Sequence, residues 1–131
     1  MGSETTKADI RKLSFEFAIE VVKLYKHLVN NQKEFVMSKQ LLRSGTSVGA
    51  MVREAQNAES KPDFIHKLGI AQKECDECQY WLELLFETQY IVEEEFKSCS
   101  QKTGSLLRVL KSIILSTKEN MGLKKTIIHN S

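Results

Sequence analysis

At 131 residues the chain is long enough for one domain with a substantial core, and its 41% hydrophobic content, single proline and six glycines argue against disorder or a turn-rich β fold. Nineteen basic against seventeen acidic residues give a net charge of +2 and a pI near 8.4, which permits nucleic-acid contact but falls short of the pI above ~9 of a dedicated basic domain. With no apolar run near the ~18 to 20 residues of a membrane span, no signal-peptide pattern and three cysteines inside helical segments, a cytoplasmic protein with reduced thiols and no membrane partner is expected.

The first helix is predicted from about Asp9 to Asn30. Leu13, Phe17, Val21, Leu24 and Leu28 form one apolar row, and Phe15, Ala18, Val22, Tyr25 and Val29 a second. The polar row of Lys12, Glu16, Glu20, Lys23 and His27 has Ile19 intruding on its flank. Two apolar rows are wider than one bundle neighbour needs, so the helix either sits deep or offers a flank to another subunit.

The second helix is predicted from about Glu34 to Ala58. Leu41, Gly45, Val48, Val52 and Ala55 fall on one side, and Ser44, Gly45, Ser47, Gly49 and Ala50 crowd small residues into two turns. A helical glycine costs ~1 kcal/mol relative to alanine, so two of them point to a close approach, by another helix or another subunit. Ser44, Gly45, Ser47, Gly49 and Ile19 are therefore the candidate helix-packing or oligomer contacts. Ser60-Lys61-Pro62-Asp63 then reads as a capping box with proline in the first turn.

The third helix, Lys61 to about Thr88, carries Phe64, Leu68, Ala71, Cys75, Cys78, Leu82 and Leu85 in a 4-3-4-3-4-3 spacing, the seam of left-handed bundle packing at ~20°. The fourth begins near Glu93-Glu94-Glu95, acidic residues that suit a helix N-terminus. Its row is Phe96, Cys99, Thr103, Leu106, Leu110, Ile113 and Thr117, and the pattern fades from Met121. Short connections between helices of similar length imply an all-α, antiparallel up-down-up-down four-helix bundle. Its expected limits are residues 9–118, with a disordered N-terminus at 1–8 and a flexible tail at 119–131.

No catalytic residue, cofactor or metal site is expected. Cys75-x-x-Cys78 lies mid-helix on an apolar seam, away from the helix N-terminus that lowers thiol pKa in redox pairs, and a zinc site lacks a fourth ligand. Asp63 and His66 echo a metal-binding step, yet no Glu-x-x-His of a di-iron bundle occurs. Glu74 and Glu77 are spaced like a magnesium-binding pair, but no matching acidic motif follows on the fourth helix, so a solvated face is the plainer reading. No phosphate-binding glycine loop, Gly-x-Ser-x-Gly or His-Glu-x-x-His is present.

The basic residues form two groups. Lys39 and Arg43 are one turn apart, with Arg53 within about a quarter turn of them; Lys97, Arg108, Lys111 and Lys118 fall within about 80° of one another. Without interleaved aromatics for base stacking, binding by Lys39, Arg43, Arg53, Lys97, Arg108 and Lys111 would be to phosphates of RNA or DNA, with no sequence preference. Simple solvation of the helix faces is the competing reading.

Leu42-Arg43-Ser44, Ser47-Val48, Glu54-Ala55, Ser60, Asp63-Phe64 and Lys67-Leu68 together resemble the signature of the four-helix-bundle proteins named after intervening sequences of bacterial 23S rRNA. Ile70-Ala71, Lys73-Glu74, Tyr80-Trp81-Leu82 and Leu106-Leu107 with Leu110, Ile113 and Ile114 continue it, and Arg11-Lys12-Leu13 with Phe17-Ala18 resembles the family's opening. Met51 departs from it, at a position where relatives often have asparagine. The family is related to the accessory variability determinant proteins of diversity-generating retroelements. That resemblance implies a homo-oligomer, with a pentamer favoured, and a basic surface presented to nucleic acid or to a nucleic-acid enzyme such as a reverse transcriptase. A structural oligomer bound only to protein is the alternative.

Overall fold

A computed structural model describes the backbone of residues 3–130 and the side chains of residues 10–122. The helices are α1 (Ser3–Asn30), α2 (Met37–Ala55), α3 (Lys61–Glu87) and α4 (Glu93–Asn130), with no strand among the described residues. Each packs on its neighbours in sequence, and α1 closes the ring against α4.

Cross-helix pairs fix the directions. Cys75, Gln79 and Phe86 of α3 meet Thr103, Ser100 and Phe96 of α4, stepping backwards as α3 advances. Ser44 and Glu54 of α2 meet Cys78 and Lys67 of α3 in the same reversed order. On α1, Ser14 and Val21 lie against Gly49 and Gly45 of α2, while Leu13 shares a cleft with Ser105 of α4 and Leu24 one with Glu95. Every neighbouring pair is antiparallel, so the bundle runs up-down-up-down as the sequence predicts.

The predicted seams fill the core. Leu68, Ala71, Cys75, Cys78, Leu82 and Leu85 of α3 are buried, as are Cys99, Leu106, Leu110 and Ile113 of α4. On α1 the row of Phe17, Val21, Leu24 and Leu28 is buried, with Leu13 packed partly against it. The second α1 row does not enter the core. Phe15 is exposed, and Ala18, Val22, Tyr25 and Val29 are only half-buried, because α1 touches just α2 and α4.

Helix ends differ from the sequence reading where side chains intervene. The second helix begins at Met37, three residues after the expected Glu34, because the Glu34 carboxylate accepts hydrogen bonds from the N–H groups of Val36, Met37 and Ser38 at 3.0, 2.9 and 2.7 Å. Ser38 Oγ returns a bond to the Glu34 carbonyl at 2.8 Å. A carboxylate that satisfies the free donors of a first turn must stand outside that turn. The same helix ends at Ala55, short of the expected Ala58. At α3 Ser60 caps the helix as expected, its Oγ accepting from Asp63 N at 3.2 Å. The Asp63 carboxylate, however, accepts from Glu59 N, also at 3.2 Å, one residue before the N-cap that a capping box would engage. The C-terminus of α3 closes with Gln89 at φ 67° and with bonds from Tyr90 N to Leu85 O and from Gln89 N to Phe86 O, a left-handed C-cap without glycine. Helical backbone extends beyond residues 9 and 118 at the two ends of the chain. The side chains of residues 1–9 and 123–131, on which much of the expected end mobility rests, lie outside the described residues.

Candidate functional site

The small residues of α2 divide into two sets. Ser44 and Gly45 are buried inside the protomer. A Cβ on Gly45 would lie 2.8 Å from both methyls of Val21, so α1 itself is what approaches this backbone. Ser44 Oγ donates within α2 and accepts from Cys78 Sγ at 3.3 Å, which ties α2 to α3. Ser47 and Gly49 are half-exposed. Gly49 lies 3.4 Å from the Ser14 carbonyl oxygen, measured from the position of an added Cβ. With Phe15, Ala18 and Ala50 it lines a shallow groove of about 410 Å³ between α1 and α2. Ile19 is exposed one turn beyond Phe15.

The basic residues are not equivalent. Arg43 reaches across to α3, where Nη1 donates to Glu74 at 2.9 Å and Nη2 donates to Glu77. Glu77 also accepts from Trp81 Nε1 at 3.3 Å. Arg43, Glu74, Glu77 and Trp81 thus form one interhelical clamp, where sequence spacing alone points Arg43 to phosphate and the two glutamates to solvent. Lys97 pairs with Glu93 one turn back at 3.1 Å. Arg108 donates to Ser105. Lys39, Arg53 and Lys111 are exposed and make no ion pair among the described residues. Lys97, Arg108, Lys111 and Lys118 share the outer face of α4, all exposed, whereas Lys39 and Arg53 lie on α2.

A second clamp joins α1 to α4 and is absent from the sequence reading. Glu20 accepts from Ser98 Oγ at 2.7 Å, from Cys99 Sγ at 3.3 Å and from Lys102 Nζ. Partial burial works to raise the Glu20 pKa, but these donors outweigh it and hold the carboxyl below its ordinary value. The signal was the placement of Glu20 on the α1 flank opposite a lysine, legible only once the α1–α4 register is known.

The cysteines are buried and free. Burial pushes the thiols of Cys75 and Cys78 up to about 12, and that of Cys99 up as well; thiolates are disfavoured at all three, which opposes redox or metal-ligand chemistry. No three His, Cys, Asp or Glu side chains converge to hold a metal ion among the described residues, and no helix among them is long and apolar enough to cross a membrane. A cleft of about 440 Å³ between the α2–α3 turn and α4 is lined by residues such as Gln56, Ser60, Lys61, Phe64 and Thr117.

The chain's likenesses carry the same architecture. No curated protein matches it. A crystal structure of a protein of unknown function from the S23 ribosomal protein family of Bacteroides thetaiotaomicron is 53% identical, with a TM-score of 0.82 over 83% of this chain and 97% of that one. The family model described as 23S rRNA-intervening sequence protein matches residues 6–112. With that match spanning most of the bundle, the chain belongs to the 23S rRNA-intervening sequence protein family.

Proposed function

We propose that this chain is a non-enzymatic homo-oligomeric scaffold, pentameric by family resemblance, that binds nucleic acid or a nucleic-acid enzyme such as a reverse transcriptase through basic helix faces. One observation carries the nucleic-acid part. From Phe96 to Lys118, α4 contains no aspartate or glutamate, while Lys97, Arg108, Lys111 and Lys118 stand exposed on one face. At ~1.5 Å rise per residue that line is about 32 Å long, enough to follow several phosphates of a backbone. Phosphate contact needs charge and reach, not base-edge donors, so sequence preference should be absent.

The alternative is a structural oligomer with no nucleic-acid ligand. It is favoured by the pairing of Arg43 with Glu74 and Glu77 and of Lys97 with Glu93, which removes two of the six candidate cations from easy phosphate contact.

Fluorescence anisotropy with unrelated RNA and DNA strands tests the choice. Affinity should fall linearly on a log–log plot against salt, and Arg108→Glu with Lys111→Glu should lower it for every sequence alike, losing about one unit of slope per contact removed. Arg43 is a poor test site, because its reversal would place three acids together. No binding at ~50 mM salt, where phosphate contact is strongest, leaves the structural oligomer.

A further inference from the structure

We propose that copies of this chain join head to tail, the outer face of α1 in one copy packing against the outer face of α3 in the next. The inference rests on the homo-oligomer reading and names its contact. Phe15, Ile19, Lys23 and Lys26 occupy one strip of α1, within about 80° of arc, and Asp76, Tyr80, Glu83 and Glu87 one strip of α3 of similar width. All eight are exposed. Phe15, Ile19 and Tyr80 keep 57, 42 and 56% of their surface in solvent.

The two strips are complementary in charge. Between residues 11 and 26, exposed α1 carries Arg11, Lys12, Lys23 and Lys26 against Glu16 alone; between 72 and 87, exposed α3 carries Asp76, Glu83 and Glu87 against Lys73 alone. Two copies of either strip would repel one another. A basic strip against an acidic one attracts, which selects a contact between unlike faces.

They are also complementary in height. Glu20 hydrogen-bonds Ser98 and Lys102 of α4, and Gln79 hydrogen-bonds Ser100 and Thr103 of the same helix. Their sequence neighbours Ile19 and Tyr80 therefore sit at one level along the bundle. Since α1 and α3 are both antiparallel to α4, they run in the same direction, and the next turns bring Lys23 level with Glu83 and Lys26 level with Glu87. A second tie agrees: His27 shares a cleft with Glu95, while Phe86 stacks on Phe96 at 4.6 Å. When copies stand side by side with parallel axes, Ile19 meets Tyr80, Lys23 meets Glu83 and Lys26 meets Glu87, while Phe15 stands level with Asp76, one turn from the Tyr80 ring. No sliding is needed. Because α1 and α3 do not touch within the protomer, one copy can use both strips at once, and the contact closes into a ring when successive rotations bring the last copy back to the first.

The test is a charge swap read as particle mass by light scattering. Glu83→Lys with Glu87→Lys, or Lys23→Glu with Lys26→Glu, should lower the assembly toward the 15.0 kDa of one chain. The chain carrying all four changes should regain the wild-type mass. Wild-type mass in both half-swapped variants, or no recovery in the swapped chain, overturns the head-to-tail contact while leaving the oligomer reading intact. A monomeric wild type overturns both. Should a charge variant fail to fold, cysteine linking decides instead: Ile19→Cys with Tyr80→Cys in one chain should oxidise to a ladder extending past dimer, and Ile19→Cys alone should give no covalent dimer. Dimers from Ile19→Cys alone, or no ladder from the pair, overturn the contact.

Discussion

Gly45 is the residue on which the α1–α2 approach depends. Its missing Cβ leaves room for Val21, whose two methyls would lie 2.8 Å from any side-chain carbon placed there. Val21 is fully buried and β-branched, so it has little rotamer freedom with which to retreat. Gly45→Ala gains up to ~1 kcal/mol of helix propensity but overpacks at a typical cost of ~1–3 kcal/mol, and a net loss of about 1 kcal/mol is expected in urea unfolding. In a Val21→Ala background both methyl contacts are gone and only the Cβ contact at 3.1 Å remains, so the loss caused by the same substitution should shrink. Equal losses in both backgrounds would show that Val21 is not the constraint. The cost of helical glycine makes the close approach legible from sequence. Its partner is not, because Val21 lies on another helix and the pairing depends on the α1–α2 register.

Helix positions and core seams follow from the spacing of apolar residues, which is why the α3 row from Leu68 to Leu85 could be read directly. The start of α2 could not, because Glu34 looks like an ordinary helix former yet works as a cap. Burial acts to raise the Glu34 pKa, but the three backbone N–H donors and Ser38 prevail and hold it below the ordinary 4.5. A carboxyl depressed in the fold stabilises fully above its unfolded pKa, and that contribution drains away as pH falls through the lower folded value. Stability should therefore decline below about pH 4.5, and the decline should be shallower in Glu34→Gln, which has no such proton to bind. At neutral pH that variant should cost about 1–2 kcal/mol, the usual range for a lost cap. Thermal melts from pH 7 to 3 check both points; parallel curves for the two proteins would assign the acid sensitivity elsewhere, to Glu20 first, since its pKa is depressed in the same sense.

At the scale of the whole molecule, charge is sorted by helix: acidic on the outer face of α3, basic on those of α1 and α4. Sequence spacing placed the α4 cations on one face correctly. It does not reveal the pairing of Arg43 with Glu74 and Glu77, because the reach from α2 to α3 spans a helix–helix register that periodicity alone does not set. If α1 and α3 join copies, α4 is left uncovered and each copy repeats the same line of cations, so contacts along one long strand add by effective concentration and not by new chemistry. Assembly and net charge can then be opposed in one experiment. Glu83→Lys with Glu87→Lys adds positive charge to every chain, which by simple attraction should tighten binding to RNA, yet it should also separate the copies. On a short strand that reaches one copy, this variant should bind as well as the wild type or better. On a strand long enough to span several, it should bind at least tenfold more weakly, a part of the ~10²–10⁴ that linked sites can contribute. Tighter binding on both lengths would mean that charge alone governs affinity and that the assembly plays no part in holding nucleic acid.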